Sequence, residues 1–430
     1  MSIDRDVAHV TCLGCGCSCD DIHVIVRSGR IAEAKQACAL GVAWFGDGVV
    51  PQRSIHAGRD VSVDAAIHAA GELLAHANRP LVYLAPDISW ETQREAVALA
   101  DALHARLDSV TSATAREPIL AAQECGRASA TLGEIRNRAD LVVFWGVDPA
   151  FRYPRYASRY APDAEGMHVP GGRRSRTVIA VDIDGVPNGR GPEDADRRVR
   201  VAAADEVATL TAIAAIASGR VTDGRASTSQ APPWQVAREL APILAAARYA
   251  VIVADAERDD AGGPRRDPAR ASALVVLAQA LNGPTRAALS TLRAGGNRSG
   301  ADAVLTWQTG YPIAMDFGRG YPRYTPHDGT AAACLSRGDV DALAIVGAPA
   351  SLTPDLRTTM TGVASVVIGP RASESVFAER GIVIDTGVAG IHEDGTAVRM
   401  DDVALGLRSV LPGSRAAAPL VRALREASAR

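Results

Sequence analysis

The run Leu141-Val142-Val143-Phe144-Trp145-Gly146-Val147-Asp148-Pro149 decides the fold of this 430-residue chain. Its first five residues are apolar at every position, so the strand they form is buried on both faces, as in a parallel sheet. Gly146, Asp148 and Pro149 then end it in a turn. That places the turn at the carboxyl end of the sheet, where α/β proteins bind ligands, although a plain strand-to-turn transition has the same appearance. Working outward, helical stretches at 63–76 and 91–107 alternate with short β-branched runs at 81–85, 141–145 and 177–181. Strands alternating with helices at this spacing form parallel βαβ units. A second series follows a Gly/Ser/Thr/Pro-rich linker at 218–233, with runs at 249–254, 343–346, 366–368 and 382–384. Expected from this are an α/β architecture of parallel sheets, a small cysteine-rich domain over 1–53, a first α/β domain over 54–217 and a second over 234–430. Within the last, 295–329 looks like a loop-rich insertion, Asp394-Gly395 suits a hairpin turn, and the Ala/Arg-rich end is helical.

Charge narrows the partners. With 46 basic and 49 acidic residues the formal charge is −3, which argues against a general nucleic-acid binder and against a membrane surface. No apolar run reaches the roughly 18 residues a membrane span needs. The first six residues are polar and carry Asp4 and Asp6, unlike a secretory or transit peptide, so a soluble, cytoplasmic chain is expected.

Five of the seven cysteines lie within the first 38 residues. A tight cluster in a large chain points to metal rather than to a disulfide framework. In Cys12-Leu13-Gly14-Cys15-Gly16-Cys17-Ser18-Cys19, followed by Cys38, the residues Cys12, Cys15, Cys19 and Cys38 fit a C-x2-C-x3-C…C order and leave Cys17 spare. Four such thiolates can cap a [4Fe–4S] cube, or form a tetrahedral zinc site; spacing alone does not choose. Gly14 and Gly16 let the backbone bend round an inorganic core and aim amides at it.

The segment from Thr11 to Ile22 with Ala37-Cys38-Ala39-Leu40-Gly41 resembles the N-terminus of the formylmethanofuran dehydrogenase B-subunit family, in the molybdopterin oxidoreductase superfamily. Further blocks agree in order: Thr131-Leu132-Gly133-Glu134 through Trp145-Gly146-Val147-Asp148-Pro149 to Tyr153-Pro154-Arg155; Gly295-Gly296-Asn297-Arg298 into Trp307-Gln308-Thr309-Gly310-Tyr311-Pro312 and Gly320-Tyr321-Pro322; and Gly390-Ile391-His392-Glu393-Asp394-Gly395 to Asp401. The resemblance implies a molybdopterin-oxidoreductase-like fold. In the dehydrogenase, this subunit holds a cluster and a tungsten or molybdenum pterin, the metal being ligated by a cysteine of a Cys-His-Gly-Pro motif shortly before the Thr-Leu-Gly-Glu block. Here that region is Thr111-Ser112-Ala113-Thr114-Ala115-Arg116-Glu117-Pro118. The soft-metal ligand is missing, and so is the histidine that would accept a proton.

Without that ligand the chain resembles the B subunit of the bacterial formyltransferase/hydrolase complex, which moves no electrons. That likeness implies a non-redox, largely structural subunit with no catalytic residue of its own, and no tungsten or molybdenum pterin. A [4Fe–4S] cluster, or a vestigial empty site, would lie at the four cysteines. The complex would convert formyl-tetrahydromethanopterin to formate through formyl-methanofuran or formyl-methylofuran, with hydrolase, formyltransferase and a further subunit as partners. The alternative is a tungsten or molybdenum iron–sulfur subunit of a dehydrogenase with an unusual metal ligand.

Other residues are weighed against plainer roles. Arg152, Arg155, Arg173 and Arg174 lie in an arginine- and tyrosine-rich stretch that can hold an anionic carrier, or simply form a solvated or interfacial loop. Trp307, Tyr311, Phe317, Tyr321 and Tyr324 look like interface anchors, or like the lining of an emptied cavity. Gly295-Gly296-Asn297 is only loosely like a phosphate cradle. Cys125 and Cys334 suit ordinary thiols, and His327 and His392 satisfied loop histidines.

Overall fold

The computed structural model describes residues 4–221, 229–256 and 267–429. Packing divides the chain into two units, Met1–Arg116 with Ala294–Arg430, and Glu117–Arg293.

In the first unit a nine-stranded sheet has five parallel strands at its centre, in spatial order Arg106–Ser109, Pro80–Leu84, Ala342–Val346, Ala364–Pro370 and Ile382–Thr386. Short antiparallel strands extend its edges, Met315–Asp316 and Arg323–Tyr324 at one, Ser54–His56 and Arg59–Asp60 at the other. Alternate residues of one strand face different cores. Val82 and Leu84 pack with helices Val63–Ala75, Trp90–Ala102, Arg298–Thr309 and Ala417–Ala427, whereas Leu81 and Tyr83 pack with Ala331–Ser336 and Pro354–Met360. Burial from both sides is why these strands are apolar at every position. Ser62 and Ser89 start two of the helices, their hydroxyls accepting from Ala65 N and Thr92 N. The same unit holds a three-stranded antiparallel sheet, Arg5–Val10, Ile22–Arg27 and Arg30–Lys35, followed by helix Ala39–Phe45. Ile22, Val24 and Val26 are its buried face, as their alternation requires.

The second unit is a five-stranded sheet, parallel throughout, in the order Arg197–Ala202, Thr177–Asp184, Leu141–Trp145, Ala250–Asp255, Ala287–Leu292. Helices Glu206–Ala217, Pro232–Ala246 and Ala269–Leu281 share its core.

An α/β architecture with parallel sheets is what the alternation predicts. The partition differs from a split into 54–217 and 234–430. Pro80–Leu84 pairs with Ala342–Val346, and Leu141–Trp145 pairs with Ala250–Asp255, so each sheet takes strands from both series. Apolar runs of one length and composition do not encode which sheet they join. The supposed loop-rich stretch 295–329 contributes a core helix, Arg298–Thr309, with Ala301, Val304 and Leu305 buried. The hairpin pairs Gly395–Val398 with Ala404–Leu407, so Gly395 begins a strand rather than making the turn, and Asp394 Oδ1 accepts from Ser409 N at 2.7 Å.

Asp108, fully buried at the end of Arg106–Ser109, pins the segment beyond Arg298–Thr309 to the sheet. Its carboxylate accepts from Ala314 N at 3.1 Å, Ala331 N at 2.6 Å and Ser112 Oγ at 2.6 Å. Asp108→Ala strands these buried donors, and the expected cost is about 3 kcal/mol, read as a lower urea midpoint at unchanged slope. A loss below about 0.5 kcal/mol would mean that the clasp is not needed.

Candidate functional site

The cysteine loop lies between strands Arg5–Val10 and Ile22–Arg27. Cys12 N donates to Cys19 O at 2.9 Å and Ser18 N to Cys15 O at 3.1 Å, closing it. Cys12, Cys17 and Cys19 are buried, Cys15 and Cys38 half-buried. Cys38 begins helix Ala39–Phe45, its carbonyl accepting from Val42 N at 2.8 Å. The two segments meet through glycines: a Cβ on Gly14 would lie 2.9 Å from Leu40 O, and one on Gly41 would lie 3.3 Å from Cys12 Sγ. Gly14 N also donates to Cys12 Sγ at 3.4 Å. Burial holds the Cys12 thiol above its ordinary range; the Gly14 amide offsets part of this, and the neighbouring Cys15, Cys19 and Cys38 add to it. The Cys38 segment thus lies against the loop that carries Cys12. Among the described residues, no three His, Cys, Asp or Glu side chains are arranged to hold a metal ion. The donor set is soft and glycine-lined, the chemistry that thiolate ligation of a zinc ion or an iron–sulfur cluster needs.

The Gly295-Gly296-Asn297 turn packs its backbone on this loop, so it is a strut rather than a phosphate cradle. A Cβ on Gly295 would lie 2.1 Å from Leu13 O. Gly296, at φ 73°, donates its N–H to Leu13 O and accepts from Asp87 N, both at 2.8 Å. Asn297 follows at φ 61°; its side-chain amide donates to Ile88 O at 2.9 Å and Thr396 O at 3.4 Å, and its Oδ1 accepts from Val398 N at 2.8 Å. Sequence reasoning missed two residues here. Trp44 Nε1 donates to Asp87 Oδ1 at 3.2 Å, while burial pushes the Asp87 carboxyl up and Trp44 and Arg298 pull it down. A signal was present, because Trp44 carries the one polar side-chain atom of the helix sequence ALGVAWF.

His392 is a satisfied loop histidine. Nδ1 accepts from Val388 N at 2.9 Å and Nε2 donates to Gly48 O at 2.7 Å, and burial lowers its pKa, so the ring stays neutral. Where the family's metal-ligating cysteine is expected, Thr111, Ser112 and Thr114 are buried. Ser112 Oγ donates to Asp108, and Thr114 Oγ1 donates to Val110 O at 3.1 Å. These hydroxyls are spent within the 108–114 segment and offer no soft donor.

Candidates in the second unit are largely spent internally. Arg152 pairs with Asp255, and Arg173 bonds both Asp196 oxygens at 3.0 Å. Arg176 is buried on the carbonyls of Ala139, Pro162, Ala164 and Arg136. Arg174 is exposed and Arg155 half-buried. At the end of the deciding strand, Trp145 Nε1 donates to Glu206 Oε1 at 2.9 Å, which also takes Arg270 Nε at 2.7 Å. The anchors in 295–329, which lie in the first unit, divide: Phe317 is buried and Tyr311 stacks on Tyr324 at 4.8 Å, whereas Trp307 and Tyr321 are 48% and 54% exposed.

An α/β protein with parallel sheets and an N-terminal cysteine loop is the class that this geometry defines. The chain belongs to the formylmethanofuran dehydrogenase B-subunit family. It is 30% identical over 416 residues to the B subunit of the tungsten-containing formylmethanofuran dehydrogenase 2 of Methanocaldococcus jannaschii, covering 94% of each chain. The protein of the same name from Methanococcus maripaludis is 30% identical over 414 residues, with 94% and 93% covered. The B subunit of the formyltransferase/hydrolase complex of Methylorubrum extorquens is 28% identical over 340 residues, covering 77% of this chain and 84% of that one. A chain in the crystal structure of that organism's complex with methylofuran superposes with a TM-score of 0.70 at 24% identity, over 86% of this chain and 97% of that one, which establishes the fold. No family model matches the chain.

Glu393 lies beside this site on the loop that His392 anchors. Its Oε2 accepts from Ala417 N at 3.0 Å, its Oε1 is buried without a partner, and burial together with Glu91 raises its pKa from 4.5 to about 7. A carboxyl raised on folding favours the folded state fully below pH 4.5, and that contribution is lost as pH rises through about 7. Glu393→Gln keeps the acceptor and cannot ionise. It is expected to match the parent below pH 4.5 and to exceed it above pH 7 by on the order of 2 kcal/mol. Melting temperatures across pH 4–8 check this, and a pH-independent offset would refute it.

Proposed function

We propose that the chain is a non-redox, largely structural subunit of a formyltransferase/hydrolase-type complex in one-carbon metabolism. In that complex a formyl group would pass from tetrahydromethanopterin to a methanofuran or methylofuran carrier and leave as formate. One observation carries the reading. At the position where a pterin metal needs a thiolate, the chain has Thr111-Ser112-Ala113-Thr114, and its Ser112 and Thr114 hydroxyls are committed to Asp108 and Val110. Transfer and hydrolysis sites would sit on partner subunits. Trp307 and Tyr321, the exposed aromatics of 295–329, are the proposed anchors for the hydrolase subunit.

In this reading Cys12, Cys15, Cys19 and Cys38 are the ligands of a [4Fe–4S] cluster. What supports this is the C-x2-C-x3-C…C order with Cys38 and the packing of the Cys38 segment on the Cys12 loop through Gly14 and Gly41, since four thiolates can cap a cube with one sulfur per iron. When bound, the cluster would supply electron-accepting capacity; in a subunit without a redox partner it cross-links the N-terminal segment. The Gly14 N–H on Cys12 Sγ would stabilise the ligand as thiolate.

The second reading is a tungsten iron–sulfur subunit with an unusual metal ligand. It is favoured by 30% identity to two tungsten-containing relatives against 28% to the formyltransferase/hydrolase subunit. Metal analysis of the anaerobically purified complex separates the two. Iron at about four atoms per chain, with tungsten and molybdenum absent, is the expected result. A stoichiometric pterin metal overturns the structural reading, and full iron content after Cys19→Ser overturns the ligand assignment.

A further inference from the structure

We infer that Trp44 and Asp87 form the positioning device of the cysteine site: their hydrogen bond sets Cys38 against the loop that carries Cys12, Cys15 and Cys19. The inference rests on the reading of these four cysteines as one ligand set.

The two halves of that set are held in different ways. The loop is fixed by its backbone: Leu13 O accepts from Gly296 N at 2.8 Å, and Gly16 O accepts from Met400 N at 3.1 Å. Thr11 Oγ1 adds a bond to Gly406 O at 2.9 Å. Cys38 instead rides at the start of helix Ala39–Phe45, a seven-residue helix with no side-chain cap and no charged residue. A helix that short has no stability of its own. Apolar contact places it without specifying rotation or slide, because dispersion and burial are non-directional. The one directional side-chain bond available to this helix is the Trp44 indole N–H, and it ends on Asp87 Oδ1 at 3.2 Å. The ring itself packs on Leu13, Ala389, Ala397 and Leu407, so the indole cannot swing without disturbing the loop.

Asp87 is a fixed reference point. It takes φ 67°, donates its N–H to Gly296 O at 2.8 Å, and accepts at its own carbonyl from Ala389 N at 3.4 Å. A Cβ on Gly296 would stand 3.3 Å from Asp87 Oδ1 and 2.5 Å from Pro86 Cβ, so glycine keeps the carboxylate where the indole finds it. The contacts close a circuit: Asp87 to Gly296, Gly296 to Leu13, the loop through Gly14, where an added Cβ would stand 3.2 Å from Trp44 Cβ, and Trp44 back to Asp87. Every link but the last uses backbone or a glycine contact. The Trp44–Asp87 bond is the link that side-chain chemistry can cut.

Trp44→Phe retains the aromatic packing and removes the N–H. Asp87→Asn keeps an acceptor oxygen and tolerates the left-handed backbone. The full-length chain, stripped of metal under anaerobic conditions, is alkylated with iodoacetamide and the labelling rate of each cysteine is read by peptide mass spectrometry. In Trp44→Phe, Cys38 is expected to label about fivefold to tenfold faster, the increase that losing one such bond gives to local opening. Cys17 and Cys334 should keep their parental rates, which reports an intact fold, and Asp87→Asn should label like the parent. Iron and sulfide retained after reconstitution with ferrous iron and sulfide are expected to fall in Trp44→Phe and to hold in Asp87→Asn. Parental labelling of Cys38 in Trp44→Phe overturns the inference. If the parent takes up no iron while Cys38 labelling still rises in the variant, the cluster reading fails and the positioning role stands.

Discussion

The carboxamide of Asn297 is the interaction on which the carboxyl end of the first unit's sheet depends. It donates to Ile88 O and Thr396 O and accepts from Val398 N, while the residue's own carbonyl takes Gln93 Nε2 at 3.0 Å. One residue therefore ties the loop leaving Pro80–Leu84 and the hairpin strand Gly395–Val398, through its carboxamide, and helix Trp90–Ala102, through its carbonyl, to the start of helix Arg298–Thr309. Only an amide supplies donors and an acceptor from one side chain of this length; a carboxylate would face two carbonyl oxygens, and an alkyl group would leave all three backbone groups buried and unpaired. The left-handed φ of 61° is also a conformation asparagine tolerates better than most residues. With that knot in place, Gly296 is delivered to Leu13 and Asp87, and the cysteine loop has a surface to rest on.

Much of this was legible in the sequence because the physics involved is local. Five apolar residues in a row, as in Leu141–Trp145, admit few alternatives to a doubly covered strand, and the alternation of Ile22, Val24 and Val26 fixes a buried face. Clustered cysteines announce themselves by composition. What stayed hidden is non-local. Nothing in Ala250–Asp255 says that it pairs with Leu141–Trp145 rather than with Ala342–Val346, because all three runs are predominantly apolar and almost wholly buried. Trp307, Tyr311 and the glycines around them suggested a loop over 295–329, yet Ala301, Val304 and Leu305 at helical spacing were the better guide. Asp87 gave no sign at all: a single acid after a proline is common, and its partner Trp44 lies 43 positions away.

The arginine-rich stretch shows how a charge pattern misleads in the same way. Opposite charges that meet only in the folded chain are invisible along it, so Arg152 and Arg173 looked available before Asp255, Asp194 and Asp196 came into place. Arg176 goes further, its guanidinium bonded to four carbonyl oxygens of two separate segments, those of Arg136 and Ala139 and those of Pro162 and Ala164. Such arginines serve structure by supplying many donors to backbone that no helix or strand satisfies.

A division between backbone-held and side-chain-held features explains how a family can keep an architecture while its chemistry changes. The cysteine loop rests on the Leu13 and Gly16 carbonyls, and the neighbouring turn needs only glycine where it touches, so most substitutions around them leave the contacts intact. Metal ligation at 111–118 would depend on one thiolate, which a single codon removes. Once it is gone, hydroxyls can be absorbed into the helix they sit on, as Thr114 is absorbed by Val110 O, and no buried group is left unsatisfied there to destabilise the fold. Under the proposed reading, loss of redox chemistry by that route would cost little stability, whereas loss of Asn297 or of the glycine contacts would leave buried backbone groups unpaired at the carboxyl end of the sheet. Under that reading, selection on the subunit's shape alone would be enough to preserve the cysteine loop, the glycine turn and both sheets.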